Sequence, residues 1–324
     1  MPPLLLPILP CPLWNPPAAD VEPLNPGLVY TRVSGYGQTG PYARRPGFAS
    51  ACEAMGGLRH VNGFPGGASV RPNLSLGDTL AGSQAALGTV MALLARERGR
   101  LPGGSGGGGQ TVDASIVEAV FSNLEGVLPE YSGCGAVRGP SGTSVSGIVP
   151  TGTYTCSDGV AVVVGANSNA LFRRLAKVMA EERFHDDALY GSNALRVGRQ
   201  AEIDAAIESW TGRFASAQVL AMLDGAEIPN GKIYSIADFC DDPHVQERGM
   251  IETVTIEDDG APGGPWELEI PAVTPRLSKT PGGTSFPGRS RPGQDTVDVL
   301  ERVLGMSESE IVALVEGGFI AAQK

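Results

Sequence analysis

The run LVYTRVSGYG, residues 28–37, limits the possible folds more than any other stretch. It is apolar, rich in β-formers and broken at its end by glycines, and it reads as a strand buried on both faces, as in a parallel sheet. A strong helical period follows from about Thr79 to Arg98, with Leu80, Leu87, Met91 and Leu94 on one face. Arg96, Arg98 and Arg100 close it, where the helix dipole favours cations. A small-residue helix is expected over residues 48–58 and a short strand at Thr111-Val112. A second helix then opens, with Ser115 and Glu118 at capping-box spacing ahead of Val120 and Phe121. Strands interleaved with helices make this an α/β chain.

Residues 132–150 are rich in Gly, Ser and Thr and read as a linker. Beyond them the character changes. Residues 151–157 and 160–164 flank Asp158-Gly159, a strong hairpin signal. Helices are expected at 169–181, 200–211 and 216–224, and another at Asp242-Pro243, with Asp as cap and Pro at the first helical position. Residues 257–295 are Pro/Gly-rich and extended. Short helices at 295–304 and 308–316 end the chain, the second capped by Ser307 and Glu310 and stopped by Gly317.

The 324 residues suffice for one large domain or two modest ones, and 45 Gly with 26 Pro point to many turns and close helix packing. A net charge of −11 without any Lys/Arg run argues against a nucleic-acid partner. The apolar stretch 3–14 is too short to span a bilayer and is interrupted by four prolines, so no membrane segment is expected. The first basic residue is Arg32, so the head resembles neither a secretory signal nor a mitochondrial presequence. Residues 1–24 are expected to be poorly structured. Five scattered cysteines without a Cys-x-x-Cys spacing suggest neither zinc nor a disulfide framework, and a reducing compartment, cytoplasmic or mitochondrial, is the natural reading.

Candidate chemistry is sparse. The tract Gly103–Gly109 contains a formal G-x-G-x-x-G, but it follows a helix and leads into a strand, the reverse of a dinucleotide fingerprint. Of the three histidines, His60 lies before a Gly/Pro-rich loop and His185 in a charged loop. His244 stands beside Asp241 and Asp242, a cluster that could suggest a metal but that the helix start at Asp242-Pro243 already explains; no metal site is expected. No G-x-S-x-G elbow supports a hydrolase. Asp78, in NLSLGDTLAG, admits two compatible readings. One is a helix N-cap. The other is a carboxylate kept ionised by a helix N-terminus and able to act as a covalent nucleophile.

Taken together, several stretches resemble the class III CoA-transferases, the formyl-CoA and carnitine CoA-transferase superfamily. NPGLVYTRVSGYGQTGPYARRPGF is similar to that family's N-P-x-L-(V/I)-Y…S-G-(F/Y)-G-x-x-G-P…R-x-G-(Y/F) signature. VRPNLSLGDTLAG looks like its segment carrying the nucleophilic aspartate, and GQTVDASIVEAVF like its G-Q-x-V-D block. GTYTCSDG, IPNGKIYSIADFCDDPHVQERGM and PGQDTVDVL are similar to later blocks, in the same order. The likeness runs from Asn25 to about Phe319.

The resemblance implies a Rossmann-like large domain built from both ends of the chain, a smaller α+β domain between them, and two chains interlocked as a homodimer. The expected organisation is a head at 1–24, a large-domain portion at 25–131, a linker at 132–150, a small domain at 151–256, and a return at 257–324 that rejoins the large domain. It also implies a mechanism in which Asp78 attacks an acyl-CoA and carries CoA as an aspartyl thioester to a carboxylic acid, with small dicarboxylates as the expected acids. Arg44 and Arg45 are the expected contacts to CoA phosphates, with Phe48 beside them, and backbone N–H groups of the 141–149 loop would steady anionic intermediates. Coenzyme A enters as part of a substrate; no permanently bound cofactor is implied. Racemases of the superfamily carry a histidine base directly after the glycine matching Gly47. Here Phe48 stands there, which favours the transferase. Family members begin with a strand–helix–strand portion where this chain has its Pro-rich head, so the large domain is expected to be incomplete at its N-terminus. An inactive or partner-dependent homologue is therefore the alternative expectation.

Overall fold

The computed structural model describes residues 17–99, 108–256, 264–288 and 293–320. They fall into two compact units, one ending at Lys232 and the other opening at Ile233. This division lies inside the 151–256 stretch that the sequence reading treats as one domain. Of the expected unstructured head, residues 1–16 lie outside the described residues, and Ala18–Val21 forms a short helical turn.

In the first unit, β1 (Val29–Ser34) pairs in parallel with β2 (Gln110–Ser115), Val29 facing Gln110 and Ser34 facing Ser115. The expected parallel pairing is present, and Val29, Tyr30 and Thr31 are buried in succession. Between the strands lie α1 (Ala49–Met55) and α2 (Leu76–Glu97); α3 (Ile116–Ser122) leaves β2 directly. The Ser115 side chain accepts the Glu118 N–H at 3.2 Å, the cap expected from the sequence. Gly109, at the entry to β2, donates its N–H to the Pro26 carbonyl. A Cβ there would lie 1.9 Å from the Leu28 carbonyl oxygen, so only glycine admits the chain. Residues 103–107 of the glycine tract lie outside the described residues.

The long helix corrects the sequence reading in two ways. It begins at Leu76 rather than Thr79, and Ser75, not Asp78, holds the N-cap position. Its buried face also differs from the expected one: Leu80 packs against the core, but Leu87, Met91 and Leu94 are exposed. Gly77, Ala81, Ala85, Thr89 and Ala92 pack inward, while Leu87, Val90 and Met91 are each 61% exposed. The β-branched side chains of the sheet already fill the space beneath the helix: a Cβ at Gly88 would sit 2.8 Å from Val112 Cγ1. Close approach therefore selects small residues over large ones. Thr31 and Thr89, buried at this contact, bond each other through their hydroxyls at 2.6 Å.

The second part of this unit is a three-stranded antiparallel sheet in the order β3 (Thr151–Thr155), β4 (Ala161–Gly165), β5 (Asn230–Lys232). The β3–β4 turn holds Gly159 at φ +78°, a left-handed conformation that suits glycine. Helices α4 (Asn169–Met179), α5 (Gln200–Thr211) and α6 (Ser216–Gly225) fall close to their expected spans. Val162 and Val164, on alternate positions of β4, join Phe172, Ile203, Ile207, Trp210 and Leu223 in one buried cluster.

In the second unit, β6 (Ile251–Ile256) pairs antiparallel with β7 (Trp266–Pro271). Strand β7 lies within the stretch expected to be merely extended, and the alternation Trp-Glu-Leu-Glu-Ile is the signal that marks it. Asp242 caps the turn Pro243–Glu247 as expected, accepting the His244 N–H at 2.8 Å. The C-terminal helices α7 (Thr296–Leu304) and α8 (Glu308–Glu316) match their expected spans, α8 with a Ser307–Glu310 capping box.

Candidate functional site

Asp78 occupies the first turn of α2 and is exposed, at the positive end of a helix of 22 residues. What holds this turn in place is a side chain that sequence reading passed over. Glu53, on α1, is fully buried, and its Oε1 accepts the Gly77 N–H at 3.1 Å. Its Oε2 faces Arg59 Nη1 and Arg71 Nε, each at 3.6 Å. These are ion pairs without hydrogen bonds, since Oε2 has no bonding partner. A buried carboxylate is tolerable only with such compensation. Gly77 is needed here as well: a Cβ would meet Ile116 Cγ2 at 2.9 Å and Glu53 Cγ at 3.1 Å. Replacing Glu53 by alanine is expected to lower unfolding free energy by about 1–3 kcal/mol, because a buried amide and two guanidinium groups lose their partner. Urea denaturation checks this, and Glu53→Gln, which can still accept from Gly77, should lose less.

Cys52 adjoins Glu53 and is also fully buried. Burial pushes its thiol pKa up; a hydrogen bond with Tyr36 opposes this, and the negative charges of Asp78 and Glu53 add to it. The thiol is therefore neutral near pH 7 and sits close enough to Asp78 to sense its charge. The turn after β1 closes the other side. Ser34 Oγ accepts the Gly37 N–H at 3.0 Å, and Asp113 Oδ2 accepts that of Gln38 at 2.9 Å, tying the turn to β2. A Cβ on Gly47 would lie 2.7 Å from the Tyr36 ring and 3.1 Å from Cys52 Sγ.

The remaining sequence candidates stand on the segment leading into α1, the helix that carries Cys52 and Glu53. Arg44 is exposed, and the Arg45 guanidinium lies 5.7 Å from the Tyr36 ring centre and 5.2 Å from that of Tyr42. Phe48 holds the N-cap position of α1 and is 82% exposed. His60 lies exposed in the short helical turn Leu58–Val61, a surface position.

The 141–149 loop is anchored at several points. Gly142 donates its N–H to Gly63 O at 2.8 Å, and Ser141 and Ser144 bond each other's carbonyls. Asn193 donates to Gly147 O and accepts from the Val149 N–H, at 2.7 and 3.0 Å. Beside the loop lies an open cleft of about 420 Å³, bordered by Phe64, Thr143, Tyr154, Gln200, Asp204 and Glu208. Tyr154 donates its hydroxyl to Asp204 at 2.8 Å; burial, reinforced by that bond, pushes its pKa up. Asp78, Arg44, Arg45 and Phe48 do not border this cleft.

Comparison with known proteins places the chain. Residues 15–296 match the family described as CoA-transferase family III. This chain belongs to CoA-transferase family III. Among its relatives, the succinyl-CoA–D-citramalate CoA-transferase of Chloroflexus aurantiacus is 37% identical over 301 residues, covering 93% of this chain and 71% of the relative. The alpha subunit of succinyl-CoA–L-malate CoA-transferase from the same organism is 35% identical over 302 residues, covering 93% of this chain and 67% of the relative. The crystal structure of a CAIB/BAIF family protein from Brucella suis matches with a TM-score of 0.64 at 24% identity, over 82% of this chain and 65% of that one. This CoA-transferase family III chain therefore shares the mixed α/β fold of CAIB/BAIF proteins and spans about two thirds of the length of these relatives. No helix among its described residues is long and apolar enough to cross a membrane.

Proposed function

We propose that this chain transfers CoA from an acyl-CoA thioester to a carboxylic acid, with Asp78 as the covalent carrier. The observation that supports this best is the station of Asp78: an exposed carboxylate on the first turn of a long helix, held from behind by buried Glu53. The Asp78 carboxylate attacks the thioester carbonyl and expels CoA thiolate, forming an acyl–aspartyl anhydride. The thiolate attacks the aspartyl carbonyl and releases the first acid, leaving an aspartyl-CoA thioester. The incoming carboxylate then displaces the thiolate to give a second anhydride. Attack of the thiolate on the new acyl carbonyl forms the product thioester and frees Asp78. Each step exchanges one activated carboxyl for another, so the energy of the thioester is conserved.

Arg44 and Arg45 meet the CoA phosphates as guanidinium donors, with Phe48 alongside. Backbone N–H groups of the 141–149 loop steady the anionic intermediates. The acids are small dicarboxylates, in line with the succinyl-CoA, D-citramalate and L-malate in the names of the relatives. The assembly is a dimer of the family's interlocked type, with a Rossmann-like large domain. Coenzyme A comes and goes with the substrate.

The test is peptide mass spectrometry after incubation with succinyl-CoA and hydroxylamine, which cleaves an anhydride or thioester and leaves a hydroxamate. A hydroxamate confined to the peptide holding Asp78 is the expected result. A folded protein that stays unlabelled with several acyl-CoA donors would sink the proposal.

A further inference from the structure

The cluster behind Asp78 has one more positive charge than its buried carboxylate uses. Arg59 and Arg71 both face Glu53 Oε2, yet at 3.6 Å neither spends an N–H group on it, since such bonds end near about 3.2 Å. Their other contacts are long: Arg59 Nη1 to Ser50 Oγ and Arg71 Nη2 to Leu74 O, each at 3.4 Å. Arg59 Nε is buried with no acceptor among the described residues. Guanidinium groups carry five donors in a planar fork that fits a carboxylate. Here two forks converge with most of that capacity unspent. The Arg71 side chain is 36% exposed against 24% for Arg59, so Arg71 is the one an incoming molecule meets first.

We propose that Arg71, with Arg59 behind it, forms a subsite for the second carboxylate of a dicarboxylate acyl group or acid, an inference that rests on Asp78 being the nucleophile. Glu53 ties the cation to the turn that carries Asp78. One of its oxygens bonds Gly77, the neighbour of Asp78, and the other points at Arg71. Arg71 Nη2 also faces the Leu74 carbonyl, one turn ahead of Asp78, so the cation stands at the same end of α2 as the reacting carboxylate. When a monocarboxylic acid brings its single carboxylate to the Asp78 carbonyl of the aspartyl-CoA thioester, it has nothing left to offer Arg71. A dicarboxylate has its second group free for that cation. The subsite also answers an electrostatic problem, because a dianionic acid approaching Asp78 and Glu53 is repelled unless a cation remains for it.

The experiment is an NMR-detected titration of the full chain with succinate and with butyrate, two four-carbon acids that differ in the second carboxylate. The wild type is expected to bind succinate about tenfold more tightly than butyrate, the scale of one charge-assisted bidentate contact. Arg71→Gln should weaken succinate binding far more than butyrate binding and bring the ratio close to one. Arg71→Lys, which keeps the charge and loses the fork, should fall between and decides the matter if the Gln variant melts early. Equal binding of the two acids by the wild type, binding of neither, or an undiminished ratio in a folded Arg71 variant overturns the subsite. An Asp78 hydroxamate together with an unchanged ratio sinks the subsite alone. A changed ratio without any hydroxamate sinks the transferase reading and leaves an acid-binding site.

Discussion

With Asp78 replaced by alanine, CoA transfer is expected to fall by about 10⁴-fold or more, on the scale of removing a covalent nucleophile. Stability is expected to change by less than about 1 kcal/mol. The contrast follows from where the side chain sits. Asp78 lies inside the first turn of α2 and is exposed, while Ser75 holds the cap position. Its removal costs at most a favourable charge–dipole interaction at a solvated surface. Were Asp78 only a helix-capping group, the same substitution would reduce stability and leave the chemistry alone. Steady-state transfer rates and urea denaturation of one variant therefore separate the two roles. Asp78→Glu sharpens the comparison: the longer side chain keeps the charge and displaces the carboxylate, for a loss of about 10²-fold.

The largest structural effect is expected at Arg196. Its side chain is fully buried and faces no carboxylate among the described residues. Instead Nε donates to Val149 O at 2.9 Å, Nη1 to Tyr190 O at 2.9 Å and Asn169 Oδ1 at 3.0 Å, and Nη2 to Asn167 O at 2.6 Å. The guanidinium also lies 4.9 Å from the Phe172 ring centre. Burial pulls its pKa down from a high starting value. Arg196→Met fills most of the volume and removes every donor, leaving buried acceptors unpaired at roughly 1–3 kcal/mol each before relaxation. A net loss of about 3–5 kcal/mol is expected, read by urea denaturation. Arg196→Lys should recover only part of it, because one ammonium cannot reach acceptors spread around a planar fork. The same variants should increase protease cleavage in the 141–149 loop, whose end at Val149 the guanidinium holds.

The division between what could and could not be read from the sequence follows the range of the interactions. The likeness of VRPNLSLGDTLAG to a family segment singled out Asp78, and residue chemistry placed it at a helix start. That chemistry named the wrong cap, because Ser75 and Asp78 both lie ahead of the long apolar period and composition alone does not rank them. Glu53 carries no local mark beyond being an acidic residue among small ones in ASACEAM. Its importance comes from Gly77, 24 positions away. Arg196 is equally ordinary in sequence, and its bond to Val149 spans 47 positions.

The sequence by itself determined the elements whose physics is local. Capping by Ser115, Asp242 and Ser307, the left-handed turn at Gly159, and the helix Gln200–Thr211 all rest on neighbours a few residues apart. Only the tertiary structure decided which face of Leu76–Glu97 is buried, and it chose the small-residue face because β2 comes too close for leucine. It alone also brought Glu53, Arg59 and Arg71 behind Asp78. A buried charge is stable only where partners from distant segments converge on it, and that convergence depends on the folded path of the chain.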